Sequence, residues 1–267
     1  MRSQICLVDT SKCTGCRACQ SACKQWNQLP AERTTFTGAY ENPPYFSCMT
    51  WTKVVFREHD DHGSTRWYMS KQGCMHCTDA ACVLACPTGA IHHTNQGTVT
   101  IDEIKCIGCN YCAAACSFRV IGFDRSANFA KKCTFCYDRI SNGLKPACSS
   151  ACPTGALLFG DEREIIRQAQ SRVGYLQANG RQDARIYGLD EVQGTAMLYV
   201  LEDFPDRYGL PSDPHVPIQT RIWNAIYGPL RIAVVLAVTF SIWANYNKNR
   251  ELDEGKAANQ DGGGAER

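Results

Sequence analysis

The spacing of cysteines constrains this chain more than any other feature. Sixteen of its eighteen cysteines fall into four groups, and the first and third groups share the spacing C-x2-C-x2-C-x3-C. The second group has a middle gap of four residues, the fourth widens that gap to eleven, and a proline follows each of these two. The groups are Cys13, Cys16, Cys19 and Cys23; Cys74, Cys77, Cys82 and Cys86; Cys106, Cys109, Cys112 and Cys116; and Cys133, Cys136, Cys148 and Cys152.

These spacings are typical of iron–sulfur clusters. A bacterial ferredoxin contains C-x2-C-x2-C-x3-C-P, in which the first three thiolates bind one [4Fe–4S] cluster and the fourth binds another. Four such groups supply sixteen ligands, enough for four [4Fe–4S] clusters. The pattern therefore predicts a protein that carries electrons, and because metal ligation supplies folding free energy, we expect the iron-free chain to be largely unfolded.

Disulfides and structural zinc are the alternative uses of so many cysteines. Disulfides are typical of short secreted chains, whereas this chain has 267 residues and no apolar signal segment at Met1–Lys12. Zinc sites pair two C-x2-C motifs across a longer gap and do not place four cysteines within eleven residues. Cys6 and Cys48, which lie outside the groups, are expected to be small buried hydrophobic residues.

Composition and motifs exclude several other classes of protein. The chain has 28 basic and 26 acidic residues, a formal charge of +2, and no basic stripe that would predict nucleic-acid binding. It lacks G-x-G-x-x-G, which a flavin- or nucleotide-dependent reductase would need, and C-x-x-C-H, which would bind covalent haem. We place two of the six histidines in a turn, one in a linker and three beside the second cysteine group as hydrogen-bond donors: His59 and His62, His215, and His76, His92 and His93.

The segments between the cysteine groups predict a loop-rich α+β fold. The expected elements are strands Ile5–Val8 and Ala196–Leu201, a loop Pro30–Pro44, a hairpin of Thr50–Arg57 and Thr65–Ser70 around the turn His59–Gly63, and an amphipathic helix Asp161–Gly180 capped by Asp161. The segments Ala85–Ile91 and Ala151–Leu157 match almost residue for residue. Because two cysteine groups make one two-cluster unit, this repeat predicts two ferredoxin-like halves in a pseudo-twofold arrangement.

The segment Trp223–Tyr246 predicts a single transmembrane helix. As a helix it would span roughly 36 Å, enough for a hydrocarbon core of about 30 Å. Its uninterrupted apolar part, Ile232–Ala244, is shorter and would also suit a buried core helix, so a span requires Arg231 to reach the interface or a polar partner. Lys248 and Arg250 after the helix favour a cytoplasmic C-terminus. The predicted organisation is a cluster domain over residues 1–216, the helix with its lead-in over 217–247, and a disordered tail over 248–267.

With these features, the chain resembles the iron–sulfur (beta) subunit of respiratory, membrane-bound formate dehydrogenases. The resemblance extends from Ile5 to Tyr246. It rests on Cys13-Thr14-Gly15-Cys16-Arg17-Ala18-Cys19, Lys24-Gln25-Trp26, Gly73-Cys74-Met75-His76-Cys77, Lys132-Cys133-Thr134-Phe135-Cys136, Pro146-Ala147-Cys148, Leu198-Tyr199-Val200-Leu201, Tyr208-Gly209-Leu210-Pro211 and Pro229-Leu230. The cysteine spacing alone would also fit the relay subunits of hydrogenases and of sulfur-compound, nitrate or sulfoxide reductases.

The resemblance implies an electron-transfer subunit of a larger complex and not an enzyme by itself. A molybdenum or tungsten (molybdopterin-type) catalytic subunit would oxidise formate, and a membrane cytochrome b would pass the electrons to quinone. The cluster domain would lie on the periplasmic side of the inner membrane, exported with the catalytic subunit, with the cytoplasmic face as the alternative. Ser117 stands where the family usually has proline, so the local turn is expected to differ.

The resemblance also implies how the cysteines are shared between clusters. Each cluster would take three cysteines from one group and the fourth from another. The implied first, second, third and fourth sets are, in that order, Cys13, Cys16, Cys19 and Cys152; Cys133, Cys136, Cys148 and Cys23; Cys74, Cys77, Cys82 and Cys116; and Cys106, Cys109, Cys112 and Cys86.

Overall fold

A four-stranded sheet forms the framework of the cluster-bearing part of the chain. The computed structural model describes residues 4–61 and 63–261, and the chain divides into two units, residues 1–220 and 221–267. In the first unit, β1 (Gln4–Asp9) lies between β8 (Leu157–Asp161), which is antiparallel to it, and β10 (Met197–Leu201), which is parallel. Strand β9 (Arg185–Tyr187) completes the order β8-β1-β10-β9.

The sheet is buried because its inner strands are apolar, except for Gln4 and Asp9 at the two ends of β1. All five residues of β10 are buried, which fits a strand covered on both faces. Helix α6 (Glu162–Ala178) packs on the sheet through Ile165, Ala169 and Leu176. The Asp161 carboxylate accepts hydrogen bonds from the backbone N–H groups of the first helical turn, as the capping pattern predicts. The predicted helix and both predicted strands of this sheet are therefore confirmed.

The predicted hairpin is present, but its turn is much shorter than predicted. Strands β2 (Thr52–Asp61) and β3 (Ser64–Gly73) pair over their whole length, and His59 lies opposite Arg66. His59 is held in the strand by tertiary contacts, because its Nε2 lies 3.1 Å from the Arg207 carbonyl oxygen and its ring packs edge-on against Tyr68. The assignment of His59 to a turn was therefore wrong, and His62 lies outside the described residues.

The remaining elements of the first unit are short and surround the cysteine groups. Two hairpins, β4–β5 and β6–β7, pack with cysteines of the second and third groups, and this part is termed the second half. Each of the four cysteine groups has at least one cysteine within a short helix. The elements are α1 (Ala18–Trp26), α2 (Ala81–Leu84), β4 (Ile91–His93), β5 (Val99–Ile101), α3 (Tyr111–Ala115), β6 (Gly122–Asp124), β7 (Phe129–Lys131), α4 (Tyr137–Ile140) and α5 (Ala147–Ser150), with 3-10 turns at Thr10–Lys12, Glu191–Gln193 and Pro205–Tyr208. The predicted loop Pro30–Pro44 contains no helix or strand.

Two hydrophobic cores correspond to the two predicted halves. The larger core surrounds the sheet and α6, and the smaller lies around β4–β7 and includes Ile91 and Ile121. Cys6 is buried in the larger core as predicted. Cys48 is half-buried instead. Its backbone and that of Ser47 pack against Gly122, where an added Cβ would lie 2.0 Å from the Cys48 nitrogen.

The second unit is dominated by helix α7 (Ile218–Asp261). Its large apolar side chains between Ile232 and Trp243 are 52–65% exposed. In the described part of the chain, no helix combines the length and the apolar character needed to cross a membrane. The helix continues through Asp261, where charge content predicted a disordered tail, because Glu, Lys, Leu and Ala are strong helix formers.

Candidate iron–sulfur centres

All four cysteine groups begin with the same backbone turn. The residue before the second cysteine of each group adopts a left-handed conformation, with φ of 67°, 51°, 69° and 60° at Gly15, His76, Gly108 and Phe135. In the fourth group this turn directs the Phe135 N–H toward the Cys133 sulfur at 3.3 Å. Glycine is required in two of the turns. A Cβ at Gly15 would lie 2.6 Å from a ring atom of Phe56, and a Cβ at Gly108 would lie 2.6 Å from the backbone oxygen of Asn128. The turn therefore aims backbone donors at sulfur.

The two Cys-Pro-Thr-Gly segments also adopt matching conformations. The Thr88 and Thr154 hydroxyl oxygens each lie 3.7 Å from the sulfur of the cysteine two residues earlier. Burial raises the pKa of Cys86, but hydrogen bonds from the Ile91 N–H and the Thr88 hydroxyl outweigh it and lower the pKa overall. The segment thus stabilises a thiolate, the form in which cysteine binds a metal.

The first cysteine group and the last cysteine of the chain line one cavity. Cys13, Cys16 and Cys19 share it with Cys152. The pairing of β1 with β8 causes the meeting, because the first group follows β1 and Cys152 precedes β8.

A second cavity is lined by the same two groups, with one cysteine from the first group and three from the fourth. Cys23 lines it together with Cys133, Cys136 and Cys148. Asn27 donates a hydrogen bond to the Cys23 sulfur at 3.7 Å. Each of the two cavities therefore offers four thiols, three from one group and one from the other.

In the second half, the pKa values of the thiols indicate which cysteines of the second and third groups lie near one another. Burial raises the pKa of Cys77, and the neighbouring thiols that raise it further are those of Cys74, Cys82 and Cys116. Burial likewise raises the pKa of Cys112 to about 11, with added effects from the thiols of Cys109, Cys106 and Cys86. Cysteines of the second and third groups therefore lie close together, and the four ligand sets stay a prediction.

Electrostatic effects between thiols link each set with the next. Burial raises the pKa of Cys19 and Cys133 to about 12 each, and among the thiols that raise them further are Cys148 for Cys19 and Cys74 for Cys133. Burial also raises the pKa of Cys82, with a further increase from Cys112 of the fourth set. The first set therefore adjoins the second, the second adjoins the third, and the third adjoins the fourth. Cys16 and Cys109, in the two end sets, are exposed.

The sites fit a polynuclear cluster. The buried Tyr199 hydroxyl has no hydrogen-bond partner in the part of the chain that the structure describes, and its pKa, raised first by burial, is raised further by Cys148 and Cys19. An inorganic sulfide is an acceptor that such a hydroxyl can use. Among the described residues, no three His, Cys, Asp or Glu side chains converge closely enough to hold a single metal ion. A cluster needs a wider arrangement, because its thiolates bind separate iron atoms.

Comparison with known proteins agrees with the cysteine pattern. Residues 12–90 and 65–162 each match a family model described as a 4Fe-4S dicluster domain. The nitrate-inducible formate dehydrogenase iron-sulfur subunit of Escherichia coli (strain K12) is 40% identical over 255 residues, which cover 93% of this chain and 87% of that protein. The chain belongs to the family of formate dehydrogenase iron–sulfur subunits. It is an electron-transfer subunit with 4Fe-4S dicluster domains, not a catalytic one.

Two further relatives support and broaden this assignment. The formate dehydrogenase-O iron-sulfur subunit of the same organism is 39% identical and covers 88% of this chain and 79% of its own length. A thiosulfate reductase electron transfer subunit from Salmonella typhi is 37% identical and covers 67% of this chain and 88% of its own. The relatives are thus named for both a formate dehydrogenase and a thiosulfate reductase.

Several residues near the sites have roles that the spacing did not predict. Lys71 and Lys132 are buried beside the thiols, although nothing in the cysteine pattern points to them. His76 Nδ1 accepts a hydrogen bond from the Val99 N–H at 3.0 Å, which leaves Nε2 as the ring nitrogen that can donate. Ser117 donates a hydrogen bond to the His215 carbonyl oxygen at 2.7 Å, so the residue that replaces proline connects the third group to the linker.

Proposed function

We propose that this subunit holds four [4Fe–4S] clusters and relays electrons from a molybdenum or tungsten formate dehydrogenase catalytic subunit to a membrane cytochrome b and on to quinone. The observation that carries the proposal is the arrangement of thiols into four neighbouring sets. Each set supplies the four thiolates that one [4Fe–4S] cluster requires, and the bound clusters would supply the one-electron chemistry. Partner identity rests on the formate dehydrogenase relatives.

The proposed ligands are the sixteen cysteines in their crossed sets. The chain's own residues keep these thiols in place and shield them from water, since most of the cysteines are buried or half-buried. Backbone N–H groups from the left-handed turns and hydroxyls such as Thr88 and Thr154 surround the sulfurs. Such hydrogen bonds to sulfur raise the reduction potential of a cluster.

The ends of the row are the proposed points of electron entry and exit. Cys16 and Cys109 are exposed, so a partner's redox group can approach the first and fourth sets most closely. Ile104 and Ile107, beside Cys109, are 96% and 59% exposed. Apolar side chains around a redox centre suit docking of another protein, because burial of their surface stabilises the complex.

Helix α7 is proposed to anchor the subunit in the inner membrane against the cytochrome. Its support is the exposed apolar surface between Ile232 and Trp243, with the aromatic residues Trp223 and Tyr246 near its ends. The uninterrupted apolar run is shorter than the roughly 20 residues of a typical span, so Arg231 must meet a polar group of the partner or a lipid phosphate. The cluster domain is proposed to lie on the periplasmic side, and the cytoplasmic face is the alternative.

The thiosulfate reductase relative makes a second function possible, in which the same relay serves a sulfur-compound reductase. Relay subunits of hydrogenases and of nitrate or sulfoxide reductases share the cysteine spacing. Purification of the intact complex and assays with formate, hydrogen, thiosulfate and nitrate will decide. We expect formate to reduce the clusters. Reduction by hydrogen, or oxidation of the clusters by thiosulfate or nitrate without reduction by formate, would contradict the formate assignment.

A further inference from the structure

A lysine occupies a core position beside the first two thiol sets. Lys71, on β3, is 1% exposed and lies among the buried residues Ser70–Gly73. It lines the cavity that Cys13, Cys16, Cys19 and Cys152 share. Its Nζ donates a hydrogen bond at 3.9 Å to the sulfur of Met197, on strand β10 of the four-stranded sheet. An ammonium group in this position is costly unless negative charge compensates it.

The groups that face Lys71 are cysteines of both sets, and their thiolates would compensate its charge when they bind a cluster. In the described part of the chain, no carboxylate forms an ion pair with it. Burial lowers the pKa of Lys71, but the thiol of Cys148, the hydroxyl of Tyr199 and the thiol of Cys133 outweigh burial and raise the pKa overall. In turn, Lys71 opposes the rise in the pKa of Cys19 and Cys23. Lys71 Nζ lies 3.2 Å from the position of a Cβ at Gly73, and the hydroxyl of Thr52, which lines the second cavity, lies 3.6 Å from the same position. Because Lys71 also lines the first cavity, it lies beside both sets.

We propose that the Lys71 ammonium is a fixed counter-charge, shared by the two clusters of the first half, that raises the reduction potentials of both. Reduction adds one negative charge to a cluster. A positive charge nearby, in a medium of low dielectric constant, stabilises the reduced state more than the oxidised state. Lys71 is not a ligand and acts through its charge alone. The inference rests on the ligand sets of the proposed function.

The other buried lysines differ from Lys71 in how their charge is compensated. Lys132 donates hydrogen bonds to the carbonyl oxygens of Val99 and Cys133 and opposes the rise in the pKa of Cys82, in the third set. Lys53 is also buried, but it forms an ion pair with Glu41 at 2.7 Å and lines neither cysteine cavity. Lys53→Met is therefore a matched control, because it removes a buried ammonium that has its own carboxylate.

The test is a redox titration of the intact complex, monitored by electron paramagnetic resonance. Variants that each lack one ligand cysteine assign the signals to individual clusters. Lys71→Met should lower the midpoint potentials of the clusters on the Cys13 and Cys133 sets by at least 59 mV, a tenfold change in each one-electron equilibrium. The fourth cluster, on the Cys106 set, should change least. Lys71→Arg keeps the charge and should preserve the potentials, and Lys53→Met should leave all four in place.

Each other outcome also decides the proposal. Unchanged potentials in Lys71→Met with full iron content would overturn the role of Lys71 while leaving the four-cluster relay intact, and so would an equal shift in Lys53→Met. If Lys71→Met loses iron, Lys71→Gln replaces it. Iron loss from both neutral variants but not from Lys71→Arg supports charge compensation, whereas iron loss from all three shows a packing role and overturns it. Fewer than four clusters in the unmodified complex would instead overturn the proposed function.

Discussion

Cys13 and Cys152 line the same cavity although they belong to the first and last cysteine groups. The pairing of Val8 with Leu157 between β1 and β8 places the chain segments that carry them side by side. Cys23 and Cys148 meet in the second cavity because α1, which contains Cys23, packs on α5, which contains Cys148. The first and last groups therefore depend on each other, and neither can complete a set of four thiols alone.

Loss of Cys152 should damage a cluster far away in sequence. In Cys152→Ala, the cluster on Cys13, Cys16 and Cys19 should be lost or converted, because its fourth thiolate is gone, while the other three clusters persist. Spectroscopy of each cluster in the variant gives the answer. Cys6→Ala is the control, since Cys6 is buried nearby but lines neither cavity. Damage confined to the cluster on Cys133, Cys136 and Cys148 would show that the crossed arrangement is wrong.

A methyl group at Gly108 should disrupt the fourth cluster. Gly108 has φ of 69°, and a Cβ there would lie 2.6 Å from the backbone oxygen of Asn128. Gly143→Ala is the matched control, because Gly143 has φ of 72° but open space around its Cβ position. The control should cost about 1–2 kcal/mol in stability through conformational strain alone. Gly108→Ala should cost more and release iron, as measured by thermal unfolding and iron content, and equal effects of the two variants would contradict the close-packing account.

Iron removal should unfold the second half before the first. The core around the sheet brings together twenty-four buried residues of the described chain, whereas the core around β4–β7 has six. The smaller core depends more on metal ligation, because it buries less apolar surface. After chelation, limited proteolysis should cut within residues 78–131 first. Early cleavage within the sheet, or a cooperative melt equal to that of the holoprotein, would contradict this.

Truncation after Pro217 should separate the cluster domain from the membrane. The shortened subunit should remain soluble and accept electrons from the catalytic subunit, so that formate oxidation with an artificial dye persists. Electron transfer to quinone should fall sharply, because α7 is removed. A charge-neutral control, Arg231→Gln in the full chain, tests whether the arginine contributes to docking. Unchanged quinone reduction by the truncated form would limit α7 to anchoring, and failure of the truncated form to fold would make α7 a core helix.

The cysteine spacing predicts much of the site, because ligand spacing within each group is set by the geometry of one cluster. The partners of the fourth cysteines do not follow from spacing, since they depend on the pairing of β1 with β8. Lys71 could not be recognised from the sequence either. Strand β3 has the sequence STRWYMSKQG, whose polar end resembles an exposed strand end, yet its last four residues are buried. His59 shows the same limitation, since contacts with Arg207 and Tyr68 extend the hairpin beyond its local signals.

The central claim is that this chain holds four [4Fe–4S] clusters, and iron analysis combined with Mössbauer spectroscopy of the isolated holo-subunit tests it most directly. With sixteen ligand cysteines in four sets, the preparation should contain close to one iron per ligand. All of that iron should give the spectrum of [4Fe–4S] clusters. Stoichiometric zinc, or iron sufficient for two clusters alone, would contradict the account.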